Sequence, residues 1–297
     1  MASDPITLGE LQHAIRDGEL DLVYQPEVDL RTGHIAAVEA LVRWSRPDRR
    51  VILPSDFIPV AEQSGAIHEL TANVLETAIA QAARWSNARW DGSALPVWVN
   101  VSAIELGDAQ LGDRISGALA SSGAQPGQLG IEVTETAPIA DLPIAVATLQ
   151  RLHSAGIRIA LDDFGTGYSS LAHLRTLPVD VIKVDRSFVT DVAHSVHDAA
   201  IVAAIVEMAH TMQRIVVAEG VEDSDQQHAL DQLGCDLGQG YLFASPQPAH
   251  CLDILLAADR ELASSPARSR SATIRLPLPR VSESRGVFAD RSRPPPR

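Results

Sequence analysis

The stretch Ile157–Ser170, IRIALDDFGTGYSS, decides the fold. It begins as a short apolar run typical of a buried strand and continues into two adjacent carboxylates, Asp162 and Asp163. Gly165 and Gly167 follow at once, which predicts a turn where the acids lie. Because successive strand residues point to opposite faces, both acids reach one shared ion only if the backbone leaves the strand there. Taken alone, the pattern also fits a solvated turn, but polar residues recur at other predicted strands.

About eight short apolar runs alternate with helical patterns over about 240 residues, the size and rhythm of a (β/α)8 barrel in the α/β class. The predicted strands are Leu20–Tyr24, Ile35–Leu41, Val97–Val101, Leu129–Val133, Ile157–Leu161, Val181–Val184, Ile215–Ala218 and Cys235–Phe243. The predicted helices, placed by caps, glycines and periodicity, are Thr7–Asp17, Ser55–Gly65, Ile67–Trp85, Asp108–Ser122, Asp141–Ala155, Ser169–Arg175, Asp198–Met212, Ser224–Leu233 and Ala249–Ala263.

From the second predicted strand onward, each strand carries a polar residue late in its length or directly after it. These residues are Glu39, Asn100, Glu132, Asp162 with Asp163, Lys183, Glu219 and Gln239. In a barrel, the C-terminal ends of the strands meet at one mouth, where chemistry gathers. One buried acid often only pairs with an arginine, but such a series on successive strands indicates a site. Five carboxylates so close together cannot all stay ionised without cations.

Lys183 is the only lysine among 24 basic residues, and it lies inside an apolar strand pattern. A lysine ammonium is compact, whereas a guanidinium is broad, planar and permanently charged. Chance retention would also explain one lysine in an arginine-rich chain, but the position favours a function. We expect Lys183 to hold the attacking water or a phosphate oxygen.

The predicted ligands are all oxygen donors, which favours Mg²⁺ or Mn²⁺ over zinc. Five carboxylates exceed the needs of one octahedral ion, whereas two ions about 3.5–4 Å apart serve in-line attack at phosphorus. Asp162 is the natural bridging ligand, and Asp163 would bind the second ion. Glu219 can accept the proton of the attacking water or reach the second metal through water. Arg43 can bind a non-bridging phosphate oxygen.

The charge of the chain is unevenly distributed. The net charge of −14 argues against a general surface for a DNA or RNA duplex. Residues from Ala263 onward carry a net +6, which leaves about −20 on the rest. We therefore predict a barrel domain at residues 1–263 and a disordered Arg/Pro/Ser-rich basic tail at 264–297. The tail is either an inert solvated extension or an electrostatic tether.

Two features bear on the compartment. Cys235 and Cys251 lack metal-ligand spacing and are interpreted as reduced thiols. The chain shows neither a secretory signal pattern nor an apolar run near 20 residues. We therefore expect a cytoplasmic protein with no membrane span.

Glu39-Ala40-Leu41 is the triad that gives the EAL family of cyclic di-GMP phosphodiesterases its name. The chain resembles this family from about Leu8 to Pro248, almost the whole globular part. The other shared motifs are YQPEVDL from Tyr24, RW from Arg43, FIPVAEQSG from Phe57, VNVS from Val99, IEVTE from Ile131, LDDFGTGYSSL from Leu161, VIKVDRSFV from Val181, VAEGVE from Val217 and QGYLF from Gln239. So many motifs in the family's order make the resemblance specific.

The resemblance implies a modified TIM barrel whose first strand is antiparallel to the others. It implies hydrolysis of cyclic di-GMP to linear 5'-pGpG with two Mg²⁺ or Mn²⁺ ions. The first ion would be held by Glu39, Asn100, Glu132 and Asp162, and the second by Asp162 and Asp163, with Glu219 close to the metals. The catalytic set would be Glu39, Lys183 and Glu219, of which Lys183 and Glu219 position and activate water.

The resemblance also implies substrate contacts from Gln25, Leu41, Arg43, Asp185, Glu222 and Gln239. Glu135 would anchor the loop Asp163–Ser170, which in the family links the metal site to a homodimer interface. One small departure is Ala37, where the family usually has Gly. Its methyl group touches no expected ligand.

Two other interpretations stay open: a catalytically inactive cyclic di-GMP receptor or scaffold, and a barrel enzyme acting on another phosphate ester. Degenerate members of the family usually lose metal ligands or the loop after the double Asp, and this chain keeps them. Because only one helix precedes Leu20, we expect regulation through dimerisation, the tail, a partner in trans or expression level.

Overall fold

The computed structural model describes residues 6–46, 51–108, 110–134, 142–166 and 174–264. Its strands are β1 Leu20–Asp29, β2 Ile35–Ser45, β3 Val51–Ile52, β4 Val97–Asn100, β5 Leu129–Thr134, β6 Arg158–Phe164, β7 Val181–Val184, β8 Ile215–Ala218 and β9 Leu237–Gly238. Its α-helices are α1 Leu8–Asp17, α2 Pro54–Ser64, α3 Ile67–Arg84, α4 Ala103–Leu106, α5 Leu111–Ser122, α6 Leu142–Ser154, α7 Arg186–Val189, α8 Val196–Thr211, α9 Ser224–Leu233 and α10 Ala249–Ser264. A 3₁₀ turn spans Pro126–Gln128, and residues 174–176 are helical.

Eight of the strands close into a barrel in the order β1-β2-β4-β5-β6-β7-β8-β9, with β9 pairing back to β1. Strand β1 is antiparallel to both of its neighbours. All the other pairings around the barrel are parallel, and the short β3 pairs antiparallel with the last two residues of β2. The predicted modified TIM barrel with an antiparallel first strand is therefore confirmed.

Alternating side chains divide the apolar residues into two cores. On β6, Ile159 and Leu161 pack in the large core between the strands and the helices, whereas Ala160 faces the barrel interior. The interior cluster contains Trp98 and smaller neighbours such as Ala37. These side chains fill the lower half of the barrel, which leaves the polar residues of the upper half at the mouth.

Several boundaries differ from the sequence prediction. Strand β1 continues to Asp29, and β2 continues to Ser45, because the two pair as a hairpin along most of their length. The prediction that Glu39 lies at the end of its strand is therefore wrong, since it lies in the middle of β2. The eighth barrel strand is only Leu237–Gly238, and Gln239 follows it directly.

The helices show smaller differences. Helix α2 begins at Pro54 with Leu53 as its N-cap, so Ser55 is not the cap, because proline suits the first helical position. The segment predicted as Asp108–Ser122 becomes helical only at Leu111, and a separate short helix α4 precedes it. Most of the predicted helix Ser169–Arg175 lies outside the described residues. Among the described helices, none is long and apolar enough to cross a membrane.

Gly130→Ala tests the packing in the barrel interior. A Cβ at Gly130 of β5 would overlap the indole ring of Trp98, which is buried inside the barrel. We expect the overpacking to lower the free energy of unfolding by about 1–3 kcal/mol, measured by urea denaturation. The matched control is Gly117→Ala in α5, where a Cβ meets nothing within 4 Å. That control should be neutral or should stabilise by up to about 1 kcal/mol, and equal losses from both variants would contradict this account.

Candidate active site at the barrel mouth

Lys183 of β7 lies at the centre of the mouth, fully buried. Four carboxylates surround its ammonium group. Its Nζ lies 2.7 Å from Glu219 Oε1, 3.0 Å from Glu132 Oε1, 3.3 Å from Glu39 Oε2 and 3.9 Å from Asp162 Oδ1. These acids come from β2, β5, β6 and the turn after β8, so closure of the barrel brings the predicted residues together.

Amide side chains hold the carboxylate of Glu39 from two sides. Asn100 Nδ2 donates to Glu39 Oε1 at 2.7 Å, and Gln239 Nε2 donates to Glu39 Oε2 at 2.7 Å. Gln239 Nε2 also lies 3.2 Å from Gln25 Oε1, whose own amide donates to Ala244 O. Asn100, a polar residue in an apolar strand, therefore has Glu39 as its hydrogen-bond partner.

The backbone leaves the strand at the double Asp. Asp163 has φ +53°, in the left-handed region, and the pairing of β6 with β7 shifts register between Leu161 and Phe164. The N–H of Asp163 donates to Asp162 Oδ1 at 2.9 Å. As a result, Asp162, Asp163 and Glu219 each offer a ligand atom within 4.8 Å of the others.

Gly165 completes the turn after these acids. Its φ is +101°, and a Cβ at this position would lie 2.7 Å from the ring of Phe188. Glycine therefore satisfies two demands here, an unusual backbone conformation and a close approach to an aromatic ring. The non-glycine Asp163 takes a left-handed conformation that costs energy, which is common where a site fixes a side chain.

The mouth holds more acid than one ammonium can neutralise. Burial raises the pKa of Glu219 to about 8, and burial together with the charge of Asp162 raises the pKa of Asp163 to about 6. Burial, followed by the charge of Glu39, raises the pKa of Glu132 well above its usual value. Burial alone would lower the pKa of Lys183, but the charges of the surrounding carboxylates outweigh the effect of burial and raise the pKa.

The donor set fits a divalent cation. Both carboxylate oxygens of Glu132 are buried and accept no hydrogen bond from the described residues, although Oε1 lies beside the Lys183 ammonium. The surrounding donors are carboxylate and amide oxygens, which are the ligands that Mg²⁺ and Mn²⁺ prefer. A cation beside Glu132 and the acids of β6 would supply the missing positive charge.

A cleft of about 360 Å³ opens above these acids. The predicted substrate contacts that line it are Gln25, Leu41, Asp185, Glu222 and Gln239. Arg43 is not among the residues that line the cleft, and its Nη1 donates to Val42 O at 2.8 Å. Glu135 and the loop from Gly167 onward lie outside the described residues.

Besides two glycines, two residues that the sequence analysis did not assign line the cleft, Arg186 and Tyr241. Gly220 has φ +71°, and a Cβ there would lie 2.5 Å from Arg186 Cβ, so the glycine lets Arg186 pack against the turn after β8. Tyr241 is 70% exposed at the rim. Both residues lie inside motifs that the chain shares with the EAL family, VIKVDRSFV and QGYLF. Their place in these motifs was the signal that could have identified them in the sequence.

Glu27 is a third unassigned residue. It is fully buried on β1, two residues from Gln25 and therefore on the same interior face. Trp98 Nε1 donates to Glu27 Oε2 at 3.1 Å, while burial raises the pKa of Glu27 to about 7 against the opposing charge of Lys183. The signal for Glu27 in the sequence was an acid two residues after Gln25, and therefore on the same face of a predominantly buried strand.

Fold and site together define a class: a modified TIM barrel with a mouth of carboxylates and amides around one buried lysine. The family model described as EAL domain matches residues 8–246, and the chain belongs to this family. The expected resemblance is thus confirmed.

Two curated relatives come from Pseudomonas aeruginosa. The chain is 40% identical over 248 residues to the bifunctional diguanylate cyclase/cyclic di-GMP phosphodiesterase MucR, covering 82% of this chain and 36% of MucR. It is 42% identical over 260 residues to the cyclic di-GMP phosphodiesterase NbdA, covering 88% of this chain and 33% of NbdA. The chain therefore spans about a third of the length of these relatives.

Solved structures agree with the fold. The chain is similar to the PaMucR phosphodiesterase in a c-di-GMP complex, with a TM-score of 0.76, 40% identity, and coverage of 82% of this chain and 98% of that one. It is also similar to an EAL domain protein from Listeria monocytogenes, with a TM-score of 0.76, 32% identity, and coverage of 86% and 100%.

Lys183→Met tests the charge balance of the mouth. The variant keeps an unbranched side chain but leaves the carboxylates of Glu132 and Glu219 without the ammonium. In metal-free buffer we expect the free energy of unfolding to fall by about 3–5 kcal/mol, measured by urea denaturation. Mn²⁺ should restore part of this loss. Arg260→Met on the exposed surface of α10 is the control and should change stability by less than about 0.5 kcal/mol. A similar small change for Lys183→Met would refute the account.

Proposed function

We propose that this chain hydrolyses cyclic di-GMP to linear 5'-pGpG by in-line attack of water on one phosphodiester, with two Mg²⁺ or Mn²⁺ ions. The observation that carries the proposal is the cluster of Glu39, Glu132, Asp162 and Glu219 around buried Lys183. Membership of the EAL family and the names of MucR and NbdA support cyclic di-GMP as the substrate.

We assign the ligands of the two ions as the family resemblance implies. The first ion would be held by Glu39, Asn100, Glu132 and Asp162, and the second by Asp162 and Asp163, with Glu219 beside them. Bound ions supply the chemistry that lowers the pKa of an attacking water and offsets charge on the phosphate. In this assignment Asn100 would offer its amide oxygen as a ligand, since its Nδ2 donates to Glu39, and Gln239 also holds the carboxylate of Glu39.

Lys183 and Glu219 together would position the attacking water and accept its proton. Their Nζ and Oε1 atoms lie 2.7 Å apart, so a water bound beside them meets one donor and one acceptor. An ionised Glu219 accepts the proton that the water gives up. Lys183 stays charged among the acids and holds either the water or a phosphate oxygen, because the surrounding carboxylates favour its protonated form.

The substrate would lie in the cleft above these acids. Asp185 and Glu222 present carboxylates at its lining, which suit the N–H donors of a guanine edge. Gln25, Leu41 and Gln239 lie deeper, beside Glu39. Arg43 would bind a phosphate oxygen through the N–H donors that its hydrogen bond to Val42 O leaves free. Glu135 would anchor the loop after Asp163.

The oligomeric state, the compartment and the domain division are proposed on the same basis. We propose a homodimer in the cytoplasm, open to regulation by a partner in trans. We also propose a division into a barrel at residues 1–263 and a basic tail at 264–297. The second candidate function is an inactive cyclic di-GMP receptor, which the complete set of acids around Lys183 disfavours.

Hydrolysis is tested by incubating the protein with cyclic di-GMP and Mg²⁺ or Mn²⁺ and resolving the products by chromatography. We expect pGpG from the wild type and a loss of at least about 100-fold in kcat/KM for Glu39→Gln, equal to about 2.7 kcal/mol. Glu76→Gln, on the exposed face of α3, is the matched control and should keep full activity. Tight binding of the nucleotide without turnover in the wild type would instead identify a receptor.

Metal binding should tighten as the pH rises from 6 to 8.5. Ligands must be deprotonated, and in the metal-free protein the pKa is about 6 for Asp163 and about 8 for Glu219. At pH 7 Glu219 is mostly protonated, so Mn²⁺ binding should release protons, measured by calorimetry in buffers of different ionisation enthalpy. Glu219→Gln should release fewer. An affinity independent of pH across this range would contradict the assignment.

A further inference from the structure

Arg158 is a buried cation at the end of the barrel opposite the mouth. It is the first residue of β6, it pairs with Gly130 of β5, and it is 8% exposed. Because side chains alternate along a strand, Arg158 shares the interior face with Ala160 rather than the outer face with Ile159. Its guanidinium therefore lies within the lower opening of the barrel.

This guanidinium has no acceptor among the described residues. Its Nε and Nη1 are buried without a hydrogen-bond partner, and within the described ranges no carboxylate lies within 4.0 Å of it. Asp180 is near enough to favour the charge of Arg158, but its own oxygens are engaged. Asp180 Oδ2 accepts the N–H of Ile159 at 2.9 Å, and Oδ1 lies 3.1 Å from His153 Nε2. Arginine is almost never so deeply buried unless it is paired.

A second arginine, Arg89, lies at the same end of the barrel. Arg89 lies in the segment between α3 and β4, which reaches the same end of the barrel as the start of β6. Its side chain is only 14% exposed, its Nε has no partner, and its Nη2 lies 3.9 Å from Asp91 Oδ2. Burial lowers the pKa of Arg158, the charge of Asp180 opposes this decrease, and the charge of Arg89 adds to it, so the two cations disfavour each other. An anion between them would remove that cost.

Trp98 separates this end of the barrel from the acidic mouth. In the pairing of β4, β5 and β6, Trp98 lies beside Gly130, and Gly130 lies beside Arg158. The indole covers Gly130, and its Nε1 donates upward to Glu27, which belongs to the acid layer. Arg158 therefore lies on the opposite side of Trp98 from the metal ligands.

We propose that Arg158 and Arg89 form a binding site for a phosphate group at the N-terminal end of the barrel. Guanidinium groups present parallel N–H donors whose geometry matches the oxygens of phosphate. The group would come either from inorganic phosphate or from a small phosphorylated metabolite. Binding there would stabilise the folded barrel by mass action and would be independent of the mouth.

The test is thermal unfolding of the full-length, metal-free protein in EDTA, titrated with inorganic phosphate at constant ionic strength set by chloride. We expect Tm to rise by about 3–6 °C when phosphate reaches ten times its Kd. Arg158→Met keeps much of the side-chain volume but removes the N–H donors, and it should abolish this rise. Arg260→Met, on the exposed surface of α10, should leave the rise intact. The test contains no cyclic dinucleotide, so its outcome is separate from that of the hydrolysis assay.

Any one of three results would overturn the proposal. No rise in Tm for the wild type beyond the chloride control would overturn it, as would an undiminished rise for Arg158→Met. Should Arg158→Met fail to fold, Arg89→Met, in the loop, must reduce the phosphate-dependent rise several-fold, and an unchanged rise would again overturn the proposal. Ribose 5-phosphate serves as the second probe: a larger rise than with inorganic phosphate identifies a phosphorylated metabolite as the ligand, and an equal rise identifies the phosphate group alone.

Discussion

The ammonium group of Lys183, buried among four carboxylates, is the interaction on which the rest of the mouth depends. Each carboxylate would be costly to bury as a lone charge, and the lysine is costly for the same reason. Their mutual attraction makes the arrangement tolerable, yet the acids outnumber the ammonium. The surplus of negative charge is itself the reason why the site suits divalent cations, since ions would complete the neutralisation that the protein leaves unfinished.

Maintaining that cluster requires a rigid support beneath it. The barrel interior below the acids is packed with Trp98 and small residues, and Gly130 leaves space for the indole ring. The same indole donates to Glu27, so the apolar floor and the lowest acid are joined by a hydrogen bond. A rigid floor holds the carboxylates at fixed separations, which metal-assisted chemistry at a phosphate demands.

The antiparallel direction of β1 also shapes the site. Running against its neighbours, β1 places Gln25 and Glu27 on the interior face beside β2 and β9. Gln25 then meets Gln239, which in turn holds Glu39. If β1 were parallel to its neighbours, other residues of β1 would lie opposite these positions of β2 and β9. The antiparallel direction of β1 therefore helps to position the side chains of the active site.

The sequence alone determined the alternation of strands and helices, the barrel class and the residue types at the mouth. It did so because apolar periodicity and capping are local properties, and because one polar residue per strand is visible without coordinates. The lone lysine in an apolar strand was an equally local signal.

Only the tertiary structure decided the extent of the β1–β2 hairpin, the left-handed conformation of Asp163 and the hydrogen bond from Arg43 to Val42 O. These depend on which segments pack together in space, which no local pattern specifies. The same holds for the burial of Glu27 and Arg158. An acid or an arginine at an alternate strand position looks solvated in sequence, and only closure of the barrel turns its face inward.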